Sequence, residues 1–380
     1  MVLNGIDRIE EYDSLFRGKR LGLITSPTGL NRTGETTISI LHKKYGLSAL
    51  FSPEHGVRGN MAAGALVDTY IDEETGIPVY SLYRKDSKRL TPEMLEKVDV
   101  VVYDIQDVGT RYYTFISTML YALQDCAKAN KTLVVLDRPD PLDGLTVEGN
   151  VLREEYRSFV GAFPLCMRYG LTGGELALMA ADRQKLDCDL HVIPCTGWNR
   201  GMQFPDYGTV WVAPSLNLPT FETTLLYPGM CLFEGTAYSE GRGTAAPFAT
   251  VGAPTVNAPV LAREMNAKRL PGVWFRPIYF TPTTSKHKGV FCPGVQVHVT
   301  DRRQVQSVDV GIRLLLECRH EDPEFQFRAP LAVGARRPIE FLSGDHFIGD
   351  KIGSADELLA AYHAESAAFH DQVRQYFLYE

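Results

Sequence analysis

Nowhere in the 380-residue chain does an apolar run approach the ~20 residues needed to cross a bilayer. The first residues, Met1-Val2-Leu3-Asn4-Gly5, carry neither the basic start nor the apolar segment of a secretory signal. The chain as it stands is therefore expected in the cytoplasm, or in the periplasm or outside the cell if a signal has been removed. Basic excess is missing too: a net charge of −7 gives no reason to expect nucleic acid or an anionic membrane as a partner, since both are usually met by clustered Lys and Arg. The seven cysteines are scattered and odd in number, which suits reduced thiols better than a disulfide framework. There is no Walker A loop, and the stretch from Gly22 to Gly29 does not match the dinucleotide fingerprint. A Gly-x-Ser-x-Gly elbow is absent, and the spacing of Cys188, His191 and Cys195 matches no standard zinc site. No cofactor and no metal are expected, and nothing in the sequence specifies an oligomeric state.

What is present is an ordinary globular composition, 44% hydrophobic and 22% charged, on a chain long enough for two domains. Short Val/Leu-rich runs at 19–25, 47–51, 78–83, 99–105 and 132–137 read as strands. Helical stretches at 36–45, from Thr91-Pro92-Glu93 onward, and at 113–129 lie between them. Continuous apolar strands alternating with helices mark a parallel sheet covered on both faces. The reading is an α/β protein. A Rossmann-like, doubly wound, mostly parallel catalytic domain is expected over 1–230, and a smaller α+β C-terminal domain over 231–380 closes the cleft. Residues 199–255 are rich in Gly, Pro and aromatics and show few regular periods. Later strands are expected at 274–280 and 295–300, with helices near 308–319 and 355–377.

Ligands of open parallel sheets bind beyond the carboxyl ends of the strands. The second strand delivers Glu54, His55 and Arg58 to that edge. The Val-rich strand at 99–105 delivers Asp104, Gln106, Asp107, Arg111 and Tyr112, and the next delivers Asp137, Arg138 and Asp140. Each has a bland alternative. Asp104 and Asp107 suit the cap of the following helix, Arg111 suits a pair with one of them, and Asp137-Arg138-Pro139 suits a structural turn. Further along, the Gly-rich segment 234–244 carries Glu234, Glu240 and Arg242, and Asn217 lies in a Pro-flanked turn. Carboxylates, arginines and aromatics without a nucleotide motif suit a hydroxylated substrate bearing an anion, and glycoside cleavage is the reaction class that uses such carboxylates. Tyr112, Tyr113, Trp198 and Tyr207 are either sugar-stacking rings or core.

Four segments carry a resemblance: Leu-Phe-Ser-Pro-Glu-His-Gly-Val-Arg-Gly at 50–59, Tyr-Asp-Ile-Gln-Asp-Val-Gly-Thr-Arg-Tyr-Tyr at 103–113, Asp-Arg-Pro-Asp-Pro at 137–141, and the glycine-rich 234–244. Together they resemble the NamZ family of exo-β-N-acetylmuramidases, and the likeness runs over nearly the whole chain. The resemblance implies a small carbohydrate substrate, muropeptides or a MurNAc-GlcNAc disaccharide, and Glu54 as the leading catalytic carboxylate and general acid. His55, Asp104 or Asp107 then assists water or positions the sugar, unless the substrate's own acetamido group takes part. Arg111 or Arg242, with Arg58 third, would hold the lactyl carboxylate. The acid role requires a proton near neutral pH, for which Asp104 or Asp107 supplies neighbouring negative charge. Two other classes compete: a non-catalytic muropeptide sensor with the same cleft, and a nucleotide-dependent transferase, against which the missing phosphate loop weighs.

Overall fold

Side chains alternate across a strand, so a strand apolar at every position must be covered on both sides. In a computed structural model, which describes residues 1–54, 56–59, 69–330, 332–350 and 354–380, that is what happens. The first part runs β1 (Leu21–Thr25), α1 (Thr37–Tyr45), β2 (Leu47–Ser52), β3 (Tyr70–Ile71), β4 (Pro78–Ser81), α2 (Pro92–Leu95), β5 (Val100–Asp104), α3 (Phe115–Lys128), β6 (Thr132–Leu136), α4 (Gly173–Arg183) and β7 (Leu190–Ile193). Val100 and Val102 of β5 face a core shared with Ile6, Phe16 and Leu41. Val101 and Tyr103 face the opposite core, with α3 and α4.

Among the described residues the strands form a seven-stranded sheet in the order β3-β4-β2-β1-β5-β6-β7. Every neighbouring pair is parallel except the edge pair of β3 and β4. Without the short β3, the succession is the 3-2-1-4-5-6 order of doubly wound nucleotide-binding folds. Local signals place the helices. The Thr36 side chain caps α1 by accepting from the Ser39 amide, and Gly46, with φ 78°, ends it. Thr91 with Pro92 starts α2, which stops after one turn.

The rest of the chain is α5 (Phe221–Met230), β8 (Thr250–Gly252), α6 (Ala258–Ala267), β9 (Val273–Phe280), β10 (Cys292–Val299), α7 (Ser307–Glu321), α8 (Pro338–Ser343), α9 (Phe347–Asp350) and α10 (Ala355–Val373). A three-stranded antiparallel sheet, β8-β10-β9, lies within it. Helix α5 falls in the stretch expected to be irregular. All of it but Glu222 is buried, and Pro228 and Gly229 lie inside it, so no amphipathic period announces it. Its packing explains the glycine. A Cβ on Gly229 would lie 1.8 Å from the Ser307 carbonyl oxygen, and one on Gly311 of α7 would strike Gly229 in turn. No helix among the described residues is long and apolar enough to cross a membrane.

The two parts are bolted together by Arg111. Its guanidinium is fully buried and donates from Nη1 to the carbonyls of Asn150 (2.9 Å) and Leu165 (2.7 Å). From Nη2 it donates to the carbonyls of Leu342 (2.9 Å) and Ser343 (2.7 Å), at the end of α8. The chain end returns as well: Tyr379 donates to Asp137 at 2.5 Å, and the Leu378 amide donates to Glu175 at 2.9 Å. Replacing Arg111 by Met strips donors from four buried carbonyls while removing one buried charge. Arg111→Met is expected to lower unfolding stability by about 2–4 kcal/mol. An unchanged midpoint in a urea titration would show that the clamp contributes nothing.

Candidate active site

Glu54 lies two residues beyond the end of β2, half-buried, and its Oε2 accepts a 2.7 Å hydrogen bond from the Thr114 hydroxyl. Thr114 is the residue immediately before α3, so the end of one strand and the start of a helix on another are tied at the carboxylate. Glu54 lines a cavity of about 160 Å³ whose walls are mainly aromatic: Tyr83, Tyr112, Tyr113, Phe159, Tyr227 and Phe248. The rings hold one another edge to face. Tyr112 and Tyr113 both meet Tyr227, at 5.8 and 6.1 Å, and Tyr227 meets Phe248 at 4.8 Å. Tyr113 fixes its hydroxyl on the Pro214 carbonyl at 2.9 Å. The Tyr112 hydroxyl is buried in this wall with no protein partner among the described residues.

The same cavity is lined by Asn217, Ser215, Glu234 and Arg242, which come from the segments far along the sequence. Arg242 donates through Nη1 to Glu234 (2.7 Å) and Glu240 (3.0 Å), and its guanidinium stands 4.9 Å over the Phe248 ring. Lys286 pairs with the other oxygen of Glu240 at 2.7 Å. Burial works to raise the Glu240 carboxyl, but Lys286 and Arg242 outweigh it and hold the carboxyl below its ordinary range. Burial opposes the Arg242 charge as well, and Glu234 and Glu240 more than restore it.

The other residues expected at this rim are placed elsewhere. Asp104 does not line the cavity: it is fully buried at the end of β5. There it is bound by Arg138 through Nε at 2.6 Å and Nη2 at 3.0 Å, and by the Thr37 hydroxyl. That ion pair sits at the sheet's switch point between β1 and β5, so both charges there are already matched within the protein. Gln106 and Arg138 border a separate small cavity of about 100 Å³, and the Gln106 amide donates to the carbonyls of Asp107 and Pro139. Asp137 caps α4, accepting from the Gly174 amide and the Thr172 hydroxyl, both at 2.7 Å. Arg58 is taken by Asp72 and Glu74. Arg111 is the buried clamp described above and cannot reach a ligand without breaking it. Neither Trp198 nor Tyr207 is at the cavity: Trp198 packs on Tyr379, and Tyr207 donates to the Asp140 carbonyl at 2.6 Å. His55 lies outside the described residues.

Asp107 is buried beneath the site rather than in it. It accepts from the Tyr169 hydroxyl and from the Gly109 amide at 3.0 Å, and burial pushes its carboxyl up to about 6. Burial pushes the Tyr113 hydroxyl well above its ordinary range, and the charges of Asp107 and Glu54 add to that. Gly109 takes φ 63° where a Cβ would lie 2.5 Å from an Asp140 oxygen, so only glycine lets the two carboxyl-bearing turns pack. Tyr83, Thr114, Phe159, Ser215, Tyr227 and Phe248 were missed by the sequence reading. Tyr83 and Thr114 had a positional signal, at a strand end and a helix start. The rest come from stretches where neither period nor motif points inward.

A carboxyl group and an arginine–glutamate pair set in aromatic walls, at the carboxyl edge of a doubly wound sheet, define a site of the glycosidase class. The sequence matches the family description "Exo-beta-N-acetylmuramidase NamZ, N-terminal" over residues 21–222 and its C-terminal counterpart over 225–379. The peptidoglycan beta-N-acetylmuramidase NamZ of Bacillus subtilis (strain 168) is 43% identical over 385 residues, covering 100% of this chain and 91% of that protein. Crystal structures of two DUF1343 family proteins from Bacteroides fragilis NCTC 9343 superpose over 100% of this chain and 99% of theirs. Their TM-scores are 0.89 and 0.77, at 37% and 29% identity. The chain belongs to the exo-β-N-acetylmuramidase NamZ family.

Two buried carboxyls, Asp107 and Asp137, make stability depend on pH. Burial raises both Asp107 and Asp137 to about 6, above the ~3.9 of an unfolded aspartate. The folded state therefore holds more protons than the unfolded state between these values. Stability contributed by the neutral forms is full below about pH 4, falls as pH rises through about 6, and is level above. Asp99 and Asp206, held near 2 by their arginine partners, act only below that window. Asp107→Asn keeps an acceptor for Tyr169 and should flatten the decline between pH 4.5 and 7 by about 2–3 kcal/mol. Urea midpoints measured across that range check it, and an unchanged slope would place the Asp107 pKa at its ordinary value.

Proposed function

We propose that this protein is an exo-acting β-N-acetylmuramidase that removes N-acetylmuramic acid from the non-reducing end of peptidoglycan fragments, the simplest being the disaccharide with N-acetylglucosamine. The observation that carries this reading is the convergence of Glu54, the aromatic walls and Arg242 on one cavity.

Glu54 is assigned as general acid. Its proton passes to the glycosidic oxygen as the bond to the anomeric carbon breaks, so the leaving sugar departs as a neutral alcohol. A water then supplies hydroxyl to the anomeric carbon and a proton to an accepting group. Two routes fit. Either Glu234, which faces the same cavity, takes the proton as water attacks, or the substrate's acetamido oxygen attacks first and is displaced by water, whose proton returns to the ionised Glu54. Arg242 is assigned to the lactyl carboxylate. Both its bonds to protein carboxylates leave from Nη1, so the Nε–Nη2 edge, the one suited to bidentate pairing, is engaged by neither. The Tyr112 hydroxyl and the Asn217 amide are assigned to ring substituents, since a buried phenol without a partner among the described residues is best satisfied by a ligand.

Glu54→Gln preserves shape and removes the proton. Turnover of a β-linked N-acetylmuramic acid substrate is expected to fall by about a hundredfold or more with the melting temperature unchanged. Near-normal turnover would sink the assignment. Arg242→Lys keeps a cation beside Glu234 but loses the fork, and should reduce preference for the muramic over the glucosamine glycoside by about tenfold. Comparing kcat/KM for the two glycosides tests it, and an undiminished preference would take the lactyl group away from Arg242.

A further inference from the structure

A second concavity, about 410 Å³ and open to solvent, adjoins the cavity of Glu54. Phe159, Val160 and Glu234 line both spaces, so the two are neighbours that meet at those residues. Beyond them the groove is floored by Pro338 and Phe341 of α8 and flanked by Arg328 and Arg336. Its position is not free to drift. The Arg111 clamp holds the end of α8 to the first part of the protein, and Gly235 packs so closely on Ile339 that a Cβ there would lie 2.7 Å from it. Arg336 is laid over the Tyr156 ring at 3.9 Å, and Arg328 reaches the Glu234 carbonyl at 3.3 Å.

We infer that this groove is the subsite for the leaving sugar, the residue on the reducing side of the bond that is cut. The inference rests on the muramidase reading. A β-linked disaccharide with its first ring in the cavity must leave by the open side, and the groove begins at the shared edge. The chemistry of the walls fits. Aromatic and aliphatic side chains match the C–H faces of a pyranose ring, while guanidinium groups at the rim donate to hydroxyl and acetamido oxygens without requiring an anion. The groove makes the enzyme read the leaving group as well as the terminal residue. Its binding energy is available to align the bond for proton transfer from Glu54.

The test compares two substrates with the same terminal sugar and alcohol leaving groups of similar chemistry: the N-acetylmuramyl-N-acetylglucosamine disaccharide, and the methyl β-glycoside, whose aglycone is one carbon. Ala335→Trp places a large ring into the groove from an exposed loop position, away from the core. It is expected to lower kcat/KM for the disaccharide about tenfold or more and to leave the methyl glycoside within about twofold. Phe341→Ala should produce the same selective loss in milder form. Equal losses on both substrates, or an unaltered disaccharide rate, would overturn the subsite. If the wild-type protein cut neither substrate, the muramidase reading itself would fall and the subsite with it.

Discussion

A guanidinium removed from water has to find acceptors or it destabilises the fold by several kcal/mol. Arg111 finds four, all backbone carbonyls, two from the first part of the chain and two from the end of α8. Because carbonyls cannot move without their backbone, this side chain helps fix the relation between the seven-stranded sheet and the helical elements that follow it, together with the buried Asn150–Asp345 and Glu148–Val308 hydrogen bonds. The cavity of Glu54 is built across that relation. Glu54, Tyr112 and Thr114 come from one side, and Tyr227, Glu234, Arg242 and Phe248 from the other. The wall of the adjoining groove is the helix that Arg111 holds.

The same rule sorts the remaining charges. Asp104 and Arg138 sit at the strand ends where a nucleotide-binding protein opens its crevice, and there they neutralise each other in full burial. Arg168 does likewise with Asp143 and Glu148, and Arg200 with Glu175. A buried ion must be paired, so these groups are absorbed by structure. What is left for chemistry is the set only partly withdrawn from water: Glu54, Glu234 and Arg242. The candidate site lies at the end of β2 rather than at the switch point, in a cavity that residues of the second part of the chain also line.

The fold was largely legible before any coordinates. Val-Val-Val-Tyr-Asp at the centre of β5 announces a strand buried on both faces, and Thr36, Gly46, Thr91 and Pro92 mark helix ends by hydrogen-bonding chemistry that acts within a turn. Helix α5 was not legible, because a helix buried at every position but Glu222 has no polar face to give it a period. Within the site, Glu54 was marked by following a strand, and Asn217, Glu234 and Arg242 by their polar, glycine- or proline-rich surroundings. The phenylalanines and Tyr227 carried no such mark, since an aromatic residue in a cavity wall and one in a core look alike in one dimension.

Sequence by itself determined which segments become strands and helices, that the sheet is parallel and covered, and that acids and arginines gather at its carboxyl edge. Those properties follow from periodicity, caps and alternation, all of which act over a few residues. Which of those acids and arginines meet one another was decided only in three dimensions. Arg111 and Arg242 are equally plausible anion holders as letters, yet one is enclosed by carbonyls 39 to 232 residues away and the other lines a cavity. The physical reason is that a charge takes its role from burial and partners, and both are set by contacts between residues far apart in the chain.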